Sequence, residues 1–279
     1  MIHIRNMDRR DIPPGLELCR LAGWNQIEAD WRRLLALAPG GVFVAEVDGC
    51  PCGSASTTAY GMSAAWIGMV LVHPGFRRRG IGSALMAHAV AHLRARRVAA
   101  VKLDATEEGR PIYVELGFRD ERPVYRCAAS APKWAPTGGA RPIAPDDWPA
   151  IAARDRTAFG ADRMDLLRQL AADGPALALG PVGNPDAYGF ARPGFLAPSL
   201  GPVVAADEAA ARAVIHALGA ALPPGPVFWD LLPDNAPARG LAESLGFAVD
   251  RRLTRMVLGA ETHPGDVSQV YAAAGLELG

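Results

Sequence analysis

Hydrophobic and polar positions follow two rhythms along the first 126 residues. Alternation or short apolar runs predict strands at residues 2–5, 42–47, 54–60, 66–72, 98–103 and 118–127. Residues 66–72 are almost unbroken in apolar character, the pattern of a strand covered on both faces. A helical period governs residues 82–93, where Leu85, Met86, Ala89, Val90 and Leu93 form one stripe to lie on a sheet. An earlier arginine-rich helical stretch includes Trp24 and Trp31. Asp48-Gly49 is a hairpin turn signal. Thr106 suits a helix N-cap, followed by Glu107 and Glu108 at the positive end of the helix, and Gly117 suits its stop. Pro111 makes that helix's first turn irregular. Strands alternating with helices in this order predict an α/β fold with a mixed sheet.

Residues 128–140 lack periodicity and are rich in Pro, Gly and Ala, which predicts a linker. Beyond it the chain restarts. Arg5 is followed by Asp11 and Pro13, and Arg141 is followed at the same spacings by Asp147 and Pro149. Thr106 precedes Leu116-Gly117-Phe118 by the same distance as Asn235 precedes Leu245-Gly246-Phe247. Two echoes in chain order predict two diverged copies of one unit, with domains at 1–127 and 141–279.

Composition narrows the field. A chain of 279 residues, half of them hydrophobic, can bury the cores of two ordinary domains. Acidic and basic residues balance at 29 each, which argues against nucleic acid or an anionic membrane as partner, despite the local clusters Arg77 to Arg79 and Arg94 to Arg97. No stretch has the length of a membrane span and the N-terminus has no apolar signal core, so a cytoplasmic protein is expected. Cys19, Cys50, Cys52 and Cys127 have neither the number for a disulfide scaffold nor the spacing for zinc, so reduced thiols and no metal are expected.

The sharpest local chemistry follows the apolar run at residues 66–72. Val70, Leu71 and Val72 lead through His73 and Pro74 into Arg77, Arg78, Arg79, Gly80, Ile81, Gly82 and Ser83, where the apolar helix opens. A helix N-terminus presents unpaired N–H groups and partial positive charge, and glycines let a ligand approach that backbone. The pattern is an anion cradle suited to a pyrophosphate; taken alone it reads equally well as a solvated turn. It lacks the Lys-Ser/Thr ending of a nucleoside triphosphate loop and is not Gly-x-Gly-x-x-Gly.

Arg77-x-x-Gly80-x-Gly82, followed by Tyr113-Val114-Glu115-Leu116-Gly117-Phe118, resembles the GCN5-related N-acyltransferase (GNAT) family. The second half resembles a degenerate GNAT-like domain through Arg141, Asp147, Asn235 and Leu245-Gly246-Phe247. The resemblance implies a tandem GNAT fold and transfer of an acetyl group from acetyl-CoA to a primary amine of a small molecule or protein, by direct attack in a ternary complex. It implies that the strand edges around Val70, Leu71 and Val72 pair with the pantetheine arm. The N–H groups from Arg78 to Ser83 then hold the pyrophosphate, Arg77 and its neighbours supply charge, and Thr106 joins the cofactor contacts. Tyr113 matches the tyrosine that protonates the departing thiolate. The family's frequent strand glutamate is absent from residues 66–71, so the base is unassigned. Trp24, Glu28 and Asp30 lie in the region that borders the acceptor site in this family; exposed helix carboxylates are the alternative reading for Glu28 and Asp30, and Trp24 and Trp31, seven apart, either wall an acceptor pocket or share a core-facing helix face. The segment matching the cradle in the second half carries Asp207 and Glu208 and neither the glycines nor the arginines, so no CoA is expected there. A CoA-responsive binding module without catalysis is the other function class, and the oligomeric expectation is a monomer or homodimer.

Overall fold

The computed structural model describes residues 1–135, 138–259 and 265–279. In chain order the first half carries β1 (Ile2–Asn6), α1 (Ile12–Leu21), α2 (Glu28–Leu37), β2 (Val42–Val47), β3 (Cys50–Tyr60) and β4 (Ala64–Val72). It continues with α3 (Ile81–Ala95), β5 (Ala100–Ala105), α4 (Arg110–Glu115) and β6 (Arg119–Ala129). The second half carries β7 (Ala140–Pro142), α5 (Trp148–Phe159), α6 (Met164–Asp173), β8 (Ala176–Leu179), β9 (Ala187–Arg192) and β10 (Ser199–Ala205). It ends with α7 (Glu208–Ala220), β11 (Val227–Leu231), α8 (Ala236–Ser244), β12 (Ala248–Gly259) and β13 (Val270–Ala272).

The chain forms two compact units that are not contiguous in sequence. The first takes Met1–Glu121, a segment beginning at Arg255, and Leu278; the second takes Arg122–Thr254, a segment ending at Glu277, and Gly279. Both β6 and β12 are therefore divided between units.

In the first unit the sheet order is β1-β2-β3-β4-β5, with residues 255–259 of β12 beyond β5. All pairs from β1 to β4 are antiparallel and β4–β5 is parallel. The predicted stripe on α3 is buried as a whole, against Phe43, Ala55, Ile67, Leu103 and Met256. Each fully buried Leu or Met of that stripe contributes about 1.5–3 kcal/mol of hydrophobic stabilisation. Asp48 and Gly49 both take positive φ, as the hairpin turn requires. The arginine-rich stretch is two helices rather than one. Asp30 accepts the Ile27 N–H at 2.8 Å and so starts α2 at Glu28, leaving Trp24 in the connection. Trp31 is fully buried, and a Cβ on Gly15 would lie 3.0 Å from its ring, so this tryptophan is core.

In the second unit the order is β7-β8-β9-β10-β11-β6, with β13 paired to β10. β6 runs antiparallel to β11 from Tyr125↔Leu231 to Ala129↔Val227, so Ala128 and Ala129 of the expected linker are strand. Within the same segment Trp134 packs against Phe247 and His216, and the Ala135 N–H donates to His216 Nδ1 at 2.8 Å.

The sequence echoes correspond to shared hydrogen bonds. Arg5 donates twice to Asp11 at 2.7 and 2.8 Å, and Arg141 twice to Asp147 at 2.6 and 2.9 Å. Both aspartates also accept a backbone N–H three residues upstream, from Asp8 and Ala144. At the other end of each copy, Gly117 and Gly246 sit at the helix stop with positive φ. The Phe118 N–H reaches Tyr113 O and the Phe247 N–H reaches Ala242 O, both at 3.0 Å.

Candidate active site in the first unit

The β4–β5 ladder is short. It holds Ala64↔Ala100, Ala65↔Val101 and Trp66↔Lys102, and no further pair among the described residues. On its other edge β4 stays paired to β3 as far as Gly53↔Val72, through a register shift opposite Ser54 to Ser56. At that shift Met69 takes φ +53 and its carbonyl accepts from Ser54 Oγ at 2.8 Å. The β5-facing edge at Val70, Leu71 and Val72 is thereby left without a strand partner, which makes a fork.

The arginine loop follows directly from the free end of β4. His73 Nδ1 accepts the Gly75 N–H at 3.1 Å, starting a tight turn over Pro74–Phe76. Arg77 Nε donates to Val72 O, and Arg79 donates to Gly75 O with its guanidinium 5.2 Å from the centre of the Phe76 ring. Two arginines thus brace the loop. Arg78 and Gly80 take φ +61 and +78, and Gly80 is the N-cap of α3 with no capping side chain. Only glycine adopts that conformation without strain, and it leaves the helix end bare. The N–H groups of Ile81, Gly82 and Ser83 meet no acceptor among the described residues. A Cβ on Gly82 would still lie 3.8 Å from the nearest atom of Val72, so the surface there is low and open. Such a helix start satisfies a pyrophosphate.

Tyr113 lies on α4, partly buried against the α3 core with its ring 6.3 Å from that of Phe118. Burial pushes its phenol up to about 12, so it is protonated at neutral pH, and its hydroxyl makes no hydrogen bond among the described residues. Thr106 does not cap α4, whose N-cap is Gly109, because a turn over residues 107–109 intervenes; its Oγ1 closes that turn by accepting the Gly109 N–H at 3.2 Å and its carbonyl accepts the Arg110 N–H at 3.0 Å.

The acceptor-side residues have local partners. Glu28 is exposed and bonded to Arg32 one turn on at 2.8 Å. Asp30 is buried, with one oxygen on Ile27 N–H and the other on Arg33 at 2.7 Å. Trp24 is half-buried in the α1–α2 connection.

A polar row under the fork is absent from the sequence reading. Thr58, Trp66 and Lys102 are cross-strand neighbours, on the opposite face from Val101 and Leu103, which pack with α3. Lys102 pairs with Glu121 at 2.7 Å, and Arg255 pairs with Asp104 through bonds of 2.8 and 2.9 Å. The Arg255 guanidinium stands 4.7 Å from the Trp66 ring centre. Ser56 Oγ, Thr58 Oγ1 and Glu121 Oε2 are buried with no hydrogen-bond partner. The signal in the sequence was one of the chain's two lysines inside an apolar strand.

In the second unit the matching helix start is closed by its own chain. Asp207 caps α7, its carboxylate accepting the Ala210 N–H at 2.8 Å, and Glu208 pairs with Arg212. Ala242 makes the backbone contact that Tyr113 makes in the first unit, without a hydroxyl. Among the described residues no group of three His, Cys, Asp or Glu could hold a metal ion, and no helix is long and apolar enough to cross a membrane.

Comparison with known proteins agrees with this duplication. An acetyltransferase (GNAT) family model matches residues 9–118, and an acetyltransferase (GNAT) domain model matches residues 151–272. An uncharacterized N-acetyltransferase of Bacillus subtilis, YitH, is 26% identical over 240 residues, 84% of each chain. A protein of Pyrococcus horikoshii assigned as an acetyltransferase superposes with a TM-score of 0.88 at 21% identity, over 100% of this chain and 96% of its own. A tandem GNAT protein from the clavulanic acid biosynthesis pathway gives 0.64 at 18% identity, over 92% of this chain and 98% of its own. With one family match on the unit that keeps an open fork and a second on the unit that has closed its helix start, the chain belongs to the GNAT family of acyltransferases as a tandem member with two copies of the fold.

Proposed function

We propose that the first copy transfers an acetyl group from acetyl-CoA to a primary amine by direct attack in a ternary complex. The observation that carries this reading is the bare N-terminus of α3 at the mouth of an open strand fork. The N–H groups from Arg78 to Ser83 hold the pyrophosphate, and the free edge of Val70, Leu71 and Val72 pairs with the amides of the pantetheine arm. The acyl donor supplies an activated thioester. Backbone N–H groups beside the Met69 bulge meet the charge that develops on its carbonyl oxygen. The C–N bond forms as the neutral amine adds to the thioester carbonyl, the nitrogen then loses one proton to solvent and keeps its other N–H in the amide, and Tyr113 gives its phenol proton to sulfur as the C–S bond breaks, regaining one from water. The second copy, with Asp207 on its helix start and Ala242 in place of the tyrosine, takes no CoA.

The test is release of free thiol from acetyl-CoA by the purified chain in the presence of a panel of amines. Amine-dependent release that Tyr113→Phe abolishes or greatly slows supports the reading. Binding of CoA with no release for any amine overturns transfer.

A further inference from the structure

The second unit also has a fork, and a segment of its own chain lies in it. β10 and β11 pair in parallel at Ser199↔Phe228 and Leu200↔Trp229. Beyond that point β10 keeps β9 on one edge, through Val203↔Gly189 and Val204↔Tyr188. Its other edge, which in β4 is free, pairs with β13 at Val203↔Ala272 and Val204↔Val270. The β11 side is engaged as well, since the Ala273 N–H donates to Asp230 O at 2.9 Å.

The segment is held by its main chain. Trp229 Nε1 donates to Tyr271 O at 2.8 Å. Asn235 Nδ2 reaches the carbonyls of Ser268 and Val270 at 2.9 and 3.0 Å, while its Oδ1 caps α8 through the Ala238 N–H. Tyr271 and Ala272 are packed into the unit's hydrophobic core. Gly201 marks how close the backbones run: at φ +131, a Cβ there would stand 2.0 Å from Ala273 O. A side chain on residue 201 and the docked segment are mutually exclusive.

We infer that the β10–β11 fork is a strand-binding groove whose ligand is the chain's own residues 267–273, read through their backbone amides and carbonyls. The comparison with a pantetheine arm rests on the donor-site reading of the first unit; the groove rests on the second unit alone. An extended peptide backbone offers donors and acceptors at the repeat of a strand, so it satisfies the fork without phosphate. Loss of the anion cradle and gain of an internal strand are then two halves of one change.

Hydrogen exchange on the full-length chain, with CoA as probe, tests this. Peptides covering residues 200–206 and 268–275 exchange slowly in the free protein and do not change when CoA is added. Asn235→Asp keeps the α8 cap and replaces the donor to the segment's carbonyls with an oxygen. It accelerates exchange in both peptides at least tenfold while leaving CoA affinity unchanged. Gly201→Ala is the second variant and releases the same two peptides. Fast exchange at 268–275 in the unaltered protein, slowing of 200–206 by CoA, or no effect of either substitution overturns the groove. CoA that fails to slow peptides over residues 78–83 counts against the donor site instead.

Discussion

Two helix starts stand at matching places in the two copies, and what satisfies their N–H groups differs. At α3 the cap is a glycine with no side chain to offer; at α7 the cap is Asp207, whose carboxylate takes the Ala210 N–H. The forks behind them differ in the same sense, one edge free at Val70 to Val72 and the other paired with β13. A helix-start N–H near the surface is met by water, by a capping side chain or by a ligand. One copy leaves its helix start uncapped and the other caps it, so the comparison is a way to test which residues serve a ligand and which serve the fold.

The largest effect comes from removing the hydroxyl that the first copy has and the second, with Ala242 at the matching place, lacks. Tyr113→Phe lowers kcat by about 100-fold or more, the scale of a lost general acid, with KM for acetyl-CoA within about twofold. Because burial holds the phenol up to about 12, the unaltered enzyme shows no loss of this acid up to about pH 10. Steady-state rates across pH check both statements. Next is Gly80→Asp, which sets a carboxylate at the start of α3, in the left-handed conformation of residue 80 and not the extended one from which Asp207 caps α7. The added negative charge and the backbone strain weaken CoA binding by about 50-fold, measured by calorimetry, and the strain lowers the thermal midpoint as well.

A smaller effect tests a feature the copies share. Arg141→Ala strands the fully buried Asp147 carboxylate and costs about 2 kcal/mol by chemical denaturation. The Arg141 guanidinium holds that carboxyl far below the usual carboxylate range. A lowered folded-state pKa gives stability that is present above about pH 4 and lost as pH falls through the lowered value, and the variant has less of it to lose. The smallest effect is Asp207→Ala, worth about 1 kcal/mol as a lost N-cap, with CoA stoichiometry still one per chain.

Much of this contrast was legible in sequence because it is written in local punctuation. Asp48-Gly49, Gly117, Asn235, and the Arg5–Asp11 and Arg141–Asp147 pairs act within a few residues of themselves, and each does in the fold what its residue type predicts. The helix start after the arginine loop was legible for the same reason, since strand, loop and helix are consecutive. Trp24 was misplaced because its helical neighbours gave no sign that the Asp30 carboxylate starts α2 at Glu28. Lys102, Asp104, Glu121 and Arg255 meet only after strands from both halves come together, and no periodicity encodes that meeting. Residues 267–273 carry no strand rhythm; their order is imposed by Trp229 and Asn235 from elsewhere.

The part of β12 that closes the first unit beside β5 begins at Arg255, whereas the unit's main body ends at Glu121. On a translating ribosome the two are separated by more than a hundred residues, which is on the order of ten seconds of synthesis. Through that interval the nascent first unit carries β5 as an uncovered edge, and Asp104 waits for the guanidinium that will neutralise it. A chain cut short before Arg255 is therefore expected to leave β5 unpaired on that edge and Asp104 without its guanidinium.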